Sequence, residues 1–125
     1  MSTPSVSVVI PAYNEVKYIP TSIASFQTQS RTDFEVIVVT RGADGTVDLC
    51  RTAGWKVVLQ KAKGVSSARL EGFAQAKGGI IASTDADTAV NPTWIDQLVT
   101  AFSDPEVVCV YGPTLLDSKS LFHAV

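Results

Sequence analysis

The stretch Val6-Ser7-Val8-Val9-Ile10-Pro11-Ala12-Tyr13-Asn14-Glu15 decides how the rest of the chain is read. Val6 to Ile10 is a compact run of β-forming residues, and Pro11 closes it. A run that is apolar on both faces suits a strand buried in a parallel sheet better than a half-exposed antiparallel one. Further runs of the same kind follow at Phe34 to Val39, Val57-Val58-Leu59, Ile80-Ile81-Ala82 and Val107 to Tyr111.

Helical patterns lie between these runs. Ile19, Ile23 and Phe26 recur at helical spacing, with Pro20 placed where a first turn tolerates it. Thr46 to Ala53 suits a short helix stopped by Gly54, and Ser66 to Lys77 a longer one ending at Gly78-Gly79. Asn91-Pro92 reads as a cap followed by proline at the first helical position. Trp94, Ile95, Leu98, Val99 and Phe102 then form one apolar stripe. Strands alternating with helices imply right-handed crossovers and an open, mainly parallel α/β sheet. Ligands of such sheets bind at the carboxyl ends of the strands. That rule selects the loops Pro11 to Glu15, Thr40 to Thr46, Gln60 to Ser67 and Thr84 to Val90.

Composition narrows the function classes. At 125 residues a single domain is expected, and 46% hydrophobic residues suffice for a core without disulfide or metal. A net charge of −2 argues against nucleic acid as a partner. Cys50 and Cys109 lie in no metal-binding or redox pattern and read as reduced core thiols of a cytoplasmic protein. His123 is the only histidine, so histidine-based catalysis is not expected. The N-terminus lacks a targeting pattern, and no apolar run is long enough to span a membrane. No GxGxxG follows a strand, and neither GxxxxGK[ST] nor GxSxG occurs, which sets aside dinucleotide enzymes, P-loop enzymes and the common hydrolases.

The chemistry concentrates at Asp85-Ala86-Asp87, directly after the run Ile80 to Thr84. Residues two apart in an extended segment point to one side, so both carboxylates can converge on a hard divalent cation. Magnesium or manganese there would neutralise a diphosphate leaving group. Arg69, Lys63 and Lys61 cluster around the start of the Ser66 helix, where cations and a helix N-terminus suit phosphate. Arg69 is read as functional and Lys61 as solvated surface charge, with Lys63 open between the two. Taken alone, Pro11 to Glu15 is a strand stop and helix start with Asn14 as the cap.

Together these segments resemble family 2 of the glycosyltransferases, from about Val6 to Pro113. The opening strand and loop through Glu15, Asp44-Gly45-Thr46, Lys63-Gly64 through Ala68-Arg69, Ile80 to Asp87, Pro92 to Phe102 and Gly112-Pro113 stand in that family's order. The resemblance implies a GT-A fold, a Rossmann-like open sheet with helices on both faces. It also implies inverting, metal-dependent transfer of a sugar from a UDP- or GDP-linked donor. By that similarity Pro11, Ala12, Tyr13, Glu15, Thr40, Lys63, Arg69, Asp85 and Ala86 line the donor nucleotide site. Asp87, with Asp85, holds Mn2+ or Mg2+. Thr40 departs from the family's usual Asp, used to recognise the base, and Leu70 from its usual Asn.

The family's catalytic base lies beyond the end of this chain. Neither Asp96 nor Asp117 is assigned to that role, so the catalytic residue is unknown. Residues 1–113 are accordingly read as a donor-binding domain and 114–125 as a tail leading toward an acceptor half, the chain being either a fragment or a short member. The acceptor is unidentified, a homo-oligomer is compatible with the reading, and a longer protein could associate with a membrane. Two rivals stay open. One is a non-catalytic nucleotide-sugar-binding module; the other is a nucleotidyltransferase, whose Gly-rich N-terminal loop with Arg is missing here.

Overall fold

In the computed structural model, which describes residues 3–42 and 44–112, the β-branched runs form four strands in a single parallel sheet. They are β1 (Val6–Ala12), β2 (Phe34–Thr40), β3 (Lys56–Leu59) and β4 (Ile80–Ser83), ordered β3-β2-β1-β4. The register pairs Val8 with Val36 and Ala82, which makes β1 a central strand. Every residue of β1 is buried, as expected for a strand covered on both faces.

Alternation along β1 and β2 sorts the side chains into two cores. Val6, Val8, Ile10, Val36 and Val38 face α1 (Ile19–Gln27), α2 (Thr46–Thr52) and α4 (Trp94–Ala101) through Ile19, Phe26, Cys50 and Ile95. Val9, Ile37 and Val39 face α3 (Val65–Phe73) through Ala68 and Phe73. Helices therefore cover both faces, with α3 alone on its side. Phe26 anchors the larger core: its ring centroid lies 6.0 Å from Phe34, 5.8 Å from Trp55 and 6.0 Å from Trp94. Such tilted and edge-on contacts add specific attraction to the area buried.

On the other face α3 lies close to the sheet at Gly72. A Cβ there would overlap Val9 Cγ1 and come within 3.0 Å of Val39 Cγ2. At the amino end of the sheet, buried Ser7 donates to Glu35 at 2.5 Å and accepts from the N–H of Gly78 at 2.8 Å. The chain leaving α3 is thereby tied to β1 and β2, and β4 enters beside β1.

Several expectations are corrected. Val107 to Gly112 forms no strand: among the described residues it has no sheet partner, and Val108 and Tyr111 are exposed. An apolar run becomes a strand only where its backbone groups find a ladder. Asn14 does not cap a helix; it takes a left-handed φ of 52° in the loop, and α1 begins at Ile19 with Pro20 in its first turn. Asn91 acts one step early: its Oδ1 accepts from the Thr93 N–H at 3.1 Å, and Thr93 is the residue that precedes α4. Cys109 is exposed rather than in the core, whereas Cys50 is buried. Asp117 and His123 lie outside the described residues.

Candidate functional site

The strand order makes a switch point. The chain moves outward from β1 through β2 to β3, then returns to the far side of β1 as β4. At such a point the loops leaving adjacent strands diverge and open a crevice. A cleft of about 550 Å³ lies there, lined by Pro11, Ala12, Tyr13, Glu15, Arg41, Gln60, Lys63, Gly64, Val65, Ala68 and Asp85. Residues that follow or end all four strands contribute to it.

The cleft is electrically divided. Glu15 and Asp85, from the β1 and β4 ends, supply negative charge; Arg41 and Lys63, from the β2 and β3 loops, supply positive charge. Glu15 is half-buried, and its carboxyl is pushed above the usual value first by that burial and then by the Asp87 carboxylate. Asp85 pushes the same way, and a backbone hydrogen bond from Tyr13 opposes. Three carboxylates thus share one field. Arg69, on α3, answers part of it: Nη2 donates to Asp85 Oδ1 at 2.9 Å and Nε donates to Ser83 Oγ at 3.0 Å.

The Asp85–Asp87 turn is closed by the Thr88 N–H, which donates to the Asp85 carbonyl at 3.1 Å. Ala86 is fully buried in the larger core, which anchors the turn between its two acids. Asp87 is half-buried and accepts from Thr88 Oγ1 at 3.4 Å. Among the described residues no ion pair reaches Asp87, and no group of three or more acidic, histidine or cysteine side chains could enclose a metal. What the turn offers is a pair of hard oxygen donors beside a third carboxylate, in a field short of positive charge. That donor set fits magnesium or manganese completing its coordination from elsewhere.

Of the residues singled out from sequence, Pro11, Ala12, Tyr13, Glu15, Lys63 and Asp85 line the cleft. Arg69 reaches its rim through Asp85. Thr40 stands behind the wall, 2% exposed, and its Oγ1 accepts from the Gly42 N–H at 3.3 Å. The β2 residue that faces the opening is its neighbour Arg41. Gln60, Gly64, Val65 and Ala68 also line the cleft without having been singled out. The signal for the first three was the position of their loop after β3. Asp96 is engaged elsewhere, 3.7 Å from Arg31.

A model of the family described as "Glycosyl transferase family 2" matches residues 7–124 of this chain. The chain belongs to that family. It is 31% identical over 118 residues to glycosyltransferase AglE of Haloferax volcanii, covering 87% of this chain and 39% of that protein. It is 36% identical over 107 residues to an undecaprenyl-phosphate 4-deoxy-4-formamido-L-arabinose transferase of Aeromonas hydrophila, covering 77% of this chain and 33% of that one. Among solved structures it resembles S. aureus TarS 1-349 in complex with UDP, at a TM-score of 0.71 and 27% identity over 80% of this chain and 32% of that chain. It also resembles the mannosyltransferase PcManGT from Pyrobaculum calidifontis in complex with GDP-Man and Mn2+, with a TM-score of 0.66, 28% identity and coverage of 85% and 34%. The fold is that of the GT-A glycosyltransferases. This chain therefore spans well under half the length of these relatives.

Proposed function

We propose that the cleft binds the nucleotide-diphosphate portion of an activated sugar, as the donor half of an inverting, metal-dependent glycosyltransferase. The observation that carries this reading is the convergence of Glu15, Asp85, Lys63 and the Arg69–Asp85 pair on one cleft at the sheet's switch point. Neighbours of the same fold bind UDP or GDP-mannose, one of them with Mn2+, which supports the choice of ligand.

In this reading Tyr13, 65% exposed at the mouth, offers its ring to the nucleoside. Lys63 faces the phosphates as a point charge. Asp87, with Asp85, would hold a manganese or magnesium ion shared with the diphosphate oxygens. When bound, that ion supplies Lewis-acid neutralisation of the departing diphosphate. Arg69 holds Asp85 in place and limits its repulsion of Asp87. The acceptor and its general base belong to chain beyond the described residues, since a base must reach the hydroxyl it deprotonates. A cytoplasmic location is part of the reading and is supported by the free thiols of Cys50 and Cys109.

Thermal unfolding with UDP and GDP, each with and without manganese, tests the reading. A ligand that binds only the native state raises the midpoint. The midpoint should rise with nucleotide and manganese together, and much less with either alone. No rise with any combination would sink it.

A further inference from the structure

The loop joining β3 to α3 carries Lys63 and Gly64 into the cleft, yet it has almost no hydrophobic anchor. Residues 61–66 are all exposed. Its shape is held instead by two side chains. Glu71, one and a half turns into α3, reaches back along the helix: Oε1 accepts the Lys61 N–H at 2.8 Å and Oε2 accepts the Ala62 N–H at 3.1 Å. Gln60 spans the loop from the other side, its Nε2 donating to the Ala62 carbonyl at 2.5 Å and the Gly64 carbonyl at 2.9 Å. Its own N–H donates to the Thr40 carbonyl at 2.8 Å, which fixes the loop's root to β2. Two consecutive amides on one carboxylate form a charge-assisted, bidentate grip. These amides hold the Glu71 carboxyl below its usual value.

We propose that Glu71 is a positioning residue for the nucleotide-diphosphate site. By gripping Lys61 and Ala62 it holds the loop so that Lys63 faces the ligand before the ligand arrives. The role rests on reading the cleft as the nucleotide site. Glu71 touches no cleft ligand itself and acts through the loop. Restricting a loop in its bound shape raises affinity by removing ordering cost at binding. Gln at this position would keep the length but replace one acceptor oxygen with an amide donor that opposes an N–H.

Titration calorimetry of UDP and GDP with manganese, on the parent chain, E71Q, K63A and the double variant, tests the role. E71Q should weaken binding about fivefold to tenfold, the span set by one or two hydrogen bonds. Its thermal midpoint should stay within a degree or two of the parent, because Glu71 lies at the surface. In the K63A background the same change should cost less than about twofold, since the group being positioned is gone. A purely structural role would not depend on Lys63. Equal binding by parent and E71Q, or an equal loss on both backgrounds, would overturn the positioning role while leaving the site intact. Absence of nucleotide binding by the parent would overturn the reading of the cleft and the role with it.

Discussion

Arg69 Nη2 lies 2.9 Å from Asp85 Oδ1 and joins α3, on one face of the sheet, to the turn that leaves β4. The two side chains are 32% and 37% exposed. At that exposure an ion pair contributes about 0–1 kcal/mol to folding. The pair's larger effect is on geometry, because it governs where Asp85 sits relative to Asp87 and Glu15.

Arg69→Ala should therefore separate stability from binding. The urea midpoint should move by less than ~1 kcal/mol. Manganese-dependent affinity for UDP or GDP should fall roughly tenfold, as expected for losing a charge-assisted contact. Calorimetric titration beside urea unfolding measures both. Unchanged affinity would show that Asp85 does not need this partner.

Asp87→Asn keeps the size and the Thr88 contact but removes a charge. The part of nucleotide affinity that depends on manganese should disappear, and the metal-independent remainder should persist. Circular dichroism should be unchanged. Titrations with and without manganese, on parent and variant, decide it; a retained manganese effect would move the metal to other residues.

Phe26→Ala tests the core that carries the acidic turn. Its ring meets Phe34, Trp55 and Trp94, so truncation leaves a cavity shared by three elements. The expected cost is about 3–5 kcal/mol in urea unfolding. A loss under ~1 kcal/mol would mean that the surrounding rings close over the gap.

Cys50 sets an alkaline limit. Burial pushes its thiol up to about 11, with Asp44 adding to the shift. An ordinary thiol titrates near 8.5, so between about 8.5 and 11 the unfolded chain loses this proton while the folded one keeps it. Stability should therefore fall as pH rises through that window and show no Cys50 contribution below it. Cys50→Ala should flatten the decline. Urea midpoints at pH 7 and pH 10 for both proteins provide the check; parallel declines would rule out Cys50 as the source. Alkylation at pH 8 should label exposed Cys109 long before Cys50.

Much of the fold is legible in the sequence for a simple reason. Val8, Val9, Ile37, Val38 and their neighbours are apolar at every position, and a strand buried on both faces tolerates little else. Asp85 and Asp87 are legible because they follow such a run directly. The polar ties are not. Gln29 accepts the Ile95 N–H at 3.0 Å and donates to the Asn91 carbonyl at 2.6 Å, joining residues more than sixty positions apart. Glu71 reaches back nine and ten residues to Ala62 and Lys61. A glutamine or glutamate on a helix has the same sequence signature whether it faces water or a distant amide. Val107 to Tyr111 misleads for the opposite reason: its composition suits a strand, but a strand also needs a neighbour.

Gly72 gives the cleft its gauge. Because α3 rests its backbone on Val9 and Val39, the helix rides as low over the sheet as a residue without Cβ permits. Arg69 and Glu71 are carried on that same helix, and the loop they serve leads directly into it. A methyl group at position 72 would act as a shim, lifting one wall while the Asp85 turn stayed seated on the opposite core. Width between the basic and acidic walls is thus adjustable from beneath, by a residue that no ligand ever meets.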